Sequence, residues 1–406
     1  MPEAWPVVDL FSGAGGMSCG FQRHPDFAVV GAADAQIGKP STGPGTLGCN
    51  ASYAASIGLE PVCADLGASD PADVCQAMGL GHTRPAVLTA CPPCTGFTRT
   101  TATNHLRDDR RNGLVGRVAG FAAVLRPEII LVENARELGI GRFAAHLHGL
   151  ARDLSRLGYQ TVSRTHFLDA FGLPQRRERA IIVAVRRPLR ALDLAALWAG
   201  WRLDVKATHV RRAIWDLPPV SAGRAHPDDA LHVSPALRSP ANRHRLAAVP
   251  HDDGSWADLI GRQDISVLLT PAMARRVAIG DLGSHPDIYG RLHWDRPAVT
   301  IKRECGHIGN GRYAHPEQDR LCTVREMSIL QGFPRDYRFF GSLANMYRHV
   351  GDAVPPLISY QLAGLCRWIL TGERPALDEL VLPGCHLGPT DIHRADQSVT
   401  ARAARD

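Results

Sequence analysis

Lysine is nearly missing from this chain. Of its 46 basic residues only three are lysines, Lys39, Lys206 and Lys302. With abundant alanine, glycine and proline, that bias reads first as the mark of a GC-rich genome, ahead of any phosphate-binding role for the arginines. Aromatic residues are also sparse, at 6%. No run of about 20 apolar residues occurs, which argues against a membrane-spanning helix. The N-terminal MPEAWPVVDLF has no basic stretch leading into a long apolar one, so no secretory signal is expected. The expected compartment is the cytoplasm, where thiols stay reduced. Ten cysteines spread over 406 residues do not form a disulfide framework. A second C-x-x-C pair is missing too, and that bears on the one pair present.

What is there suits a soluble globular protein. The chain is 45% hydrophobic and 21% charged, enough to bury the cores of two or three domains. Its net charge of +6 mildly favours a polyanionic partner. The first third alternates short apolar runs with helix-like segments. Strands are expected at residues 6–11, 28–33, 62–64, 86–89, 129–133, 160–168 and 181–185. They are apolar on both sides, as in a sheet covered on both faces. Alternation of this kind predicts an open α/β sheet, with ligands at the carboxyl ends of its strands. From about residue 187 to 296 the alternation fades and Pro, His, Arg and Asp become frequent, which reads as a separate, mildly basic module. Patterning returns after Pro297. It ends in PPLISYQLAGLCRWIL, an amphipathic helix begun by proline, with a stripe through Leu357, Ile358, Leu362, Leu365 and Ile369. The tail beyond Leu387 is polar and is expected to be loosely ordered. No internal repeat is found.

DLFSGAGGMSCGF follows the first strand. Gly13, Gly15 and Gly16 allow a sharp turn and a close approach of ligand to main chain. The spacing is tighter than the G-x-G-x-x-G of dinucleotide sites, and a purely structural turn would look much the same. A Walker loop is excluded, because Pro40 follows Lys39. Asp34 and Asp65, at the ends of the next two strands, strengthen the ligand reading. The first could hold ribose hydroxyls and the second an adenine amino group, which suits an adenosine ligand without a pyrophosphate.

TACPPCTGFTRT places Cys91 and Cys94 in a lone C-x-x-C. Zinc would need a second pair or a well-spaced histidine, and the nearest, His105, stands alone. A thioredoxin-like pair would open a helix early in a small domain. A single nucleophilic cysteine has candidate partners elsewhere. Glu133 and Asn134 end a buried strand in IILVENA, and a carboxylate is costly there unless paired or used. Gln175, Arg177 and Arg179 alternate in QRRER, which in an extended chain aims all three to one face. A surface ion pair would account for either arginine alone, but not for the whole set.

Taken in order, DLFSGAGG, PPC, ENA, QRRER, RLCTVREMSILQGFP and HVGDAVPP resemble the motifs of DNA (cytosine-5) methyltransferases of bacterial restriction-modification type. The resemblance covers about residues 5–186 and 297–370. It implies a class I S-adenosylmethionine-dependent fold, Rossmann-like, with a mixed seven-stranded sheet and a smaller target-recognition domain. Residues 1–186 would be the catalytic domain and 187–296 the recognition domain. Residues 297–372 would carry the closing motifs, and 373–406 a tail. Implied catalytic residues are Cys94, Glu133, Asn134, Arg177 and Arg179. S-adenosylmethionine would meet Phe11, Ser12, Gly13, Gly15, Asp34, Asp65, Leu66, Pro92 and Asp352. Double-stranded DNA would meet Thr95, Arg99, Arg107, Arg110, Arg111 and Gln175, although a solvated loop would explain those arginines equally well. No metal is implied. The chain would act as a cytoplasmic monomer, with a cognate restriction endonuclease as a genetic partner.

Four departures stand out. Thr95 replaces the usual glutamine, Ala135 a valine, and Asp352 the usual asparagine. The stretch QIGKPSTGPGTLGCN is longer than is usual and is expected to be a surface loop rather than a flap over the adenosine. An RNA methyltransferase of the same fold, and an inactive DNA-binding regulator, are the competing readings.

Overall fold

The computed structural model describes residues 4–38, 41–94, 109–282 and 287–395. All seven expected strands form one sheet. They are β1 (Trp5–Leu10), β2 (Phe27–Asp34), β3 (Val62–Cys63), β4 (Val87–Ala90), β5 (Ile129–Ala135), β6 (Tyr159–Phe167) and, after a two-residue β7 (Gln175–Arg176), β8 (Glu178–Arg186). The sheet order is β3-β2-β1-β4-β5-β8-β6. Neighbours from β3 to β5 run parallel, while β8 is antiparallel to both β5 and β6.

Strand periodicity divides the core. Val7, Ile129, Leu131 and Val183 pack on one face, and Val8, Ile130, Val132 and Ile182 on the other. Side chains of α3 (Pro71–Ala77), α4 (Leu114–Leu125) and α5 (Ala144–Arg156) cover the second face. The first is covered by α1 (Gly16–Arg23), α2 (Cys49–Ile57) and the last helix, Pro356–Thr371.

That last helix begins at proline as expected, but it is not amphipathic. Every residue from Pro356 to Cys366 is buried. Its polar positions are matched instead of solvated. Ser359 Oγ donates to Gly16 O at 3.2 Å and accepts from Gly20 N at 3.0 Å. Gln361 donates to Phe171 O and accepts from Trp198 Nε1, both at 2.9 Å. Gly20 makes the close crossing possible, because a Cβ there would overlap Ser359.

In the second half, Leu197, Trp198, Ile214, Leu246 and Trp256 join the same buried cluster as α1 and the last helix. A short strand pairing lies past Leu387. Ile392–Arg394 pairs antiparallel with Trp201–Leu203, and Ile392 is buried. One apolar side chain in a polar stretch is enough when a strand edge is there to receive it. Residues 396–406 lie outside the described part. Among the described residues no helix is long and apolar enough to cross a membrane.

Candidate active site

The carboxyl ends of β1, β2 and β4 border the first wall of the site. β1 runs into a turn in which Phe11, Gly13 and Gly15 have φ of 55°, 52° and 88°. A phenylalanine is strained in that region, so the turn has to be held by its surroundings. Ser12 N donates to Ala33 O at 3.2 Å, and Gly13 N to Asp34 Oδ2 at 2.9 Å. The Tyr337 hydroxyl bonds Ala14 O. At Gly16 a Cβ would overlap the Val354 carbonyl, so α1 starts directly against the closing motif.

The cavity beside this turn is lined by Phe11, Ser12, Gly13, Met17, Cys91 and Asp352, among others. The Ser12 hydroxyl is buried there without a partner. Beneath it Asp9, fully buried, accepts from Ser18 Oγ at 2.6 Å and Thr89 Oγ1 at 2.7 Å. Desolvation raises Asp9 to about 6, against the pull of those hydroxyls.

Of the residues implied for the donor, Phe11, Ser12, Gly13 and Asp352 line the cavity. Asp34 reaches it through the Gly13 amide, and burial raises its carboxyl while the Gln36 and Gly13 amides oppose the rise. Asp65 and Leu66 lie one strand further out. Asp65 is exposed and accepts from Gly67 N at 2.9 Å, and the buried Leu66 offers its carbonyl to Arg117. Asp352 does not present a free charge to the cavity, because Arg303 forms an ion pair with it. Desolvation raises Asp352 to about 6, Arg303 opposes, and Asp34 adds to the rise.

Charged side chains form the second wall. β4 ends at Ala90 and the chain leaves it through Cys91–Cys94. The Pro92 carbonyl is caught by Asn134 Nδ2 at 2.9 Å, and Asn134 Oδ1 accepts the Ala135 amide. Asn134 therefore ties the cysteine loop to the end of β5. Glu133 on β5 and Arg179 on β8 meet diagonally across the antiparallel pair. Arg179 Nε lies 2.9 Å from Glu133 Oε1, but not aligned as a hydrogen bond. Arg177 sits in the break between β7 and β8, 3% exposed. Its guanidinium donates to Ile301 O at 3.1 Å and Ala353 O at 3.4 Å, and its Nε is buried without a partner. Desolvation, with Arg179 nearby, pulls Arg177 down to about 9. Burial pushes the Cys94 thiol above its ordinary value. Arg179 and Arg177 pull it down, while Glu133 and Asp352 push it up.

The residues expected to meet DNA fare unevenly. Gln175 lies inside the fold. It is fully buried, its oxygen accepts from Ile301 N at 2.8 Å, and its amide nitrogen donates to Gln331 Oε1 at 2.7 Å. Gln175 and Arg177 both bond Ile301, and Arg177 lies beside Arg179, although the strand is broken at Arg177. Arg111 is paired with Asp109, 2.9 Å from Nε and 2.6 Å from Nη2. Thr95, Arg99 and Arg107, and the side chain of Arg110, lie outside the described residues.

Two residues outside the expected set belong to the site: Arg303, paired with Asp352, and Cys91, which lines the cavity. The one usable signal for Arg303 was the aspartate at 352, since an extra charge beside the cavity calls for a nearby cation. Cys91 and Cys94 are both free thiols. Among the described residues no cluster of three or more His, Cys, Asp or Glu could hold a metal ion.

A mixed seven-stranded sheet with a glycine turn at its carboxyl rim defines a class I methyltransferase, whose members use S-adenosylmethionine. The family model for C-5 cytosine-specific DNA methylases matches residues 6–367, and the chain belongs to that family. It is a DNA (cytosine-5-)-methyltransferase. The chain is 26% identical over 371 residues to the Type II methylase M.HgiDII of Herpetosiphon aurantiacus, covering 90% of this chain and 96% of that protein. It is also 26% identical over 436 residues to the Type II methyltransferase M.AgeI of Thalassovita gelatinovora, covering 88% and 98%. Two solved structures share the fold. They are the Dnmt2 methyltransferase of S. pombe (TM-score 0.54, 17% identity, 91% of this chain and 100% of that one) and EhMeth of Entamoeba histolytica (0.56, 14%, 91% and 99%).

Proposed function

We propose that Cys94 is the nucleophile for methylation of carbon 5 of a cytosine flipped out of duplex DNA. The group Cys94, Glu133, Arg177 and Arg179, in which Glu133 and Arg177 are buried, carries the reading. It holds a thiol, a carboxylate and two cations side by side, with Arg177 Nε still lacking a partner.

Carbon 5 of cytosine is a weak nucleophile. Addition of the Cys94 thiolate to carbon 6 makes the ring enamine-like and splits one hard step into easier ones. Glu133 bonds ring nitrogen 3 and the exocyclic amine and supplies a proton as electrons enter the ring. Arg177 contacts oxygen 2 and stabilises charge there. Arg179 holds Glu133, and Asn134 holds the loop that carries Cys94. After carbon 5 has taken the methyl group, loss of its proton re-forms the double bond and expels the thiolate.

S-adenosylmethionine, when bound, supplies an electrophilic methyl group. The first wall fits it, because a Cβ on Gly13 would meet nothing within 4 Å and the Ser12 hydroxyl awaits a partner. Phe11, Ser12, Gly13, Gly15, Pro92 and Asp352 would surround its methionine end, and Asp34, Asp65 and Leu66 its adenosine.

Residues 187–296 read the target site, and the enzyme works as a cytoplasmic monomer, paired genetically with a restriction endonuclease. Bisulfite sequencing of DNA and RNA from cells expressing the chain tests this. Protected cytosines at one recurrent DNA sequence are expected. Protection confined to RNA would support the rival reading, and none at all would support the inactive regulator.

A further inference from the structure

The segment after β2 leaves the sheet at Asp34 and returns at α2, and its two arms lie side by side. Gly45 N donates to Ala35 O at 3.0 Å and Leu47 N to Gln36 O at 2.8 Å. Gly38 N donates to Thr46 Oγ1 at 2.9 Å. The returning arm is fastened to the helix Leu343–Asp352, since Asn345 Nδ2 donates to Leu47 O at 2.9 Å and His349 Nε2 lies 3.1 Å from the same carbonyl. The tip of the outgoing arm is also gripped by Arg303. Arg303 Nη2 donates to Ile37 O at 3.1 Å and to Gly38 O, while its Nη1 meets Asp352 Oδ2.

Arg303 therefore grips two parts of the cofactor wall at once. Asp352 lines the cavity directly, and the outgoing arm starts at Asp34, whose carboxylate holds the Gly13 amide. The base of this grip is firm. Ile301, two residues earlier, is bonded to both Gln175 and Arg177, and a Cβ at Gly351 would overlap the Lys302 carbonyl. One short segment, Ile301–Arg303, thus touches the arginine of the base pocket at one end and the cofactor wall at the other. The aspartate at 352 and the arginine at 303 form one unit, in which the acid orients the cation and the cation closes the wall.

We propose that Arg303 is a positioning residue for the donor. Its guanidinium ties the Ile37–Gly38 main chain to Asp352 and so fixes the wall on which S-adenosylmethionine rests. The inference depends on the cofactor reading above. A loose outgoing arm would leave the ligand to order it on binding, and that weakens affinity while leaving the chemical step alone.

The test uses S-adenosylhomocysteine as the probe, with calorimetry on the full chain and hydrogen exchange on the ligand-free protein. Arg303→Ala should weaken S-adenosylhomocysteine by about tenfold, the loss of one charge-assisted contact. It should also speed exchange at the Gly45 and Leu47 amides without ligand, and change kcat at saturating donor by less than about threefold. Arg303→Lys, which keeps the charge, should fall between Ala and wild type in affinity and exchange; it also gives a reading should the alanine variant fail to fold. Asp352→Asn should speed the same amides. Unchanged exchange and affinity in the Arg303 variants would overturn the latch alone. A wild-type protein that binds no S-adenosylhomocysteine would overturn the cofactor reading with it.

Discussion

On the cofactor side of the site, the surface offered to the ligand is largely main chain, the strained turn Phe11–Gly15 held by amides, carbonyls and one tyrosine hydroxyl. On the base side it is polar and charged side chains from three separate stretches, Cys94, Glu133 with Asn134, and Arg177 with Arg179. The first wall is fixed by backbone geometry and tolerates little extra volume. The second is fixed by charge, and its carboxylate and cations set the ionisation of the Cys94 thiol. Damage should therefore differ in kind. On the cofactor side it should appear in stability and donor affinity, and on the base side in rate and in thiol reactivity.

The largest effect belongs to the base side. Cys94→Ser should lower kcat by roughly 10⁴-fold or more, the scale seen when a covalent nucleophile is removed. Cys91→Ser should leave methylation within about tenfold of wild type, because Cys91 only lines the cavity wall. Equal loss in the two variants would return the C-x-x-C pair to contention as a redox unit. Glu133→Gln should lower kcat by about 10²–10⁴-fold, the worth of a general acid, with the donor affinity kept.

On the cofactor side, Gly16→Ala should destabilise the fold by about 1–3 kcal/mol, because its methyl group would have to displace the Val354 carbonyl. Chemical denaturation reads this directly. An unchanged midpoint would mean that α1 can slide away from the closing motif.

Smaller, but more diagnostic of the charged wall, is the reactivity of Cys94 towards iodoacetamide in the free enzyme. Burial holds the thiol above its ordinary value of 9.0, so alkylation should be slow at neutral pH and keep rising with pH past that value. Glu133→Gln removes an anion and should speed alkylation several-fold, while Arg179→Met removes a cation and should slow it by about as much. A rate indifferent to both changes would separate the thiol from the charges around it.

The smallest effect is a slope. Asp9 titrates near 6 in the folded protein against an ordinary 3.8, so the folded state binds its proton more tightly. The stability linked to that proton is full below 3.8 and is lost as pH rises to about 6. Asp9→Asn should remove this part of the slope, as seen in the difference between the two melting curves across that range.

The two walls were also unequally legible. The central strands could be read from their apolar runs, since a strand buried on both faces has little room for polar residues, and Glu133 stood out because it breaks such a run; the edge strand β6 is polar and exposed over Ser163–Thr165. The glycine turn announced itself for the same reason, as conformations that favour glycine leave glycine behind. The burial of Gln175 was not legible, because its partners Ile301 and Gln331 lie far along the chain. Arg303 lies in an irregular stretch where no period marks a side chain, and two of its partners are carbonyls, which any sequence supplies. The shared core of residues 187–296 and the pairing of Ile392–Arg394 depend on distant partners that local pattern does not name.

The central claim is that Cys94, within its cluster of charges, bonds covalently to a target cytosine. Incubating the enzyme with S-adenosylmethionine and a duplex carrying 5-fluorocytosine at the methylated position tests it, because fluorine at carbon 5 blocks the final elimination. The account predicts a stable protein–DNA adduct, mapped by peptide mass to Cys94 and absent from Cys94→Ser. No adduct with the wild-type protein, or one mapped to Cys91, would contradict it.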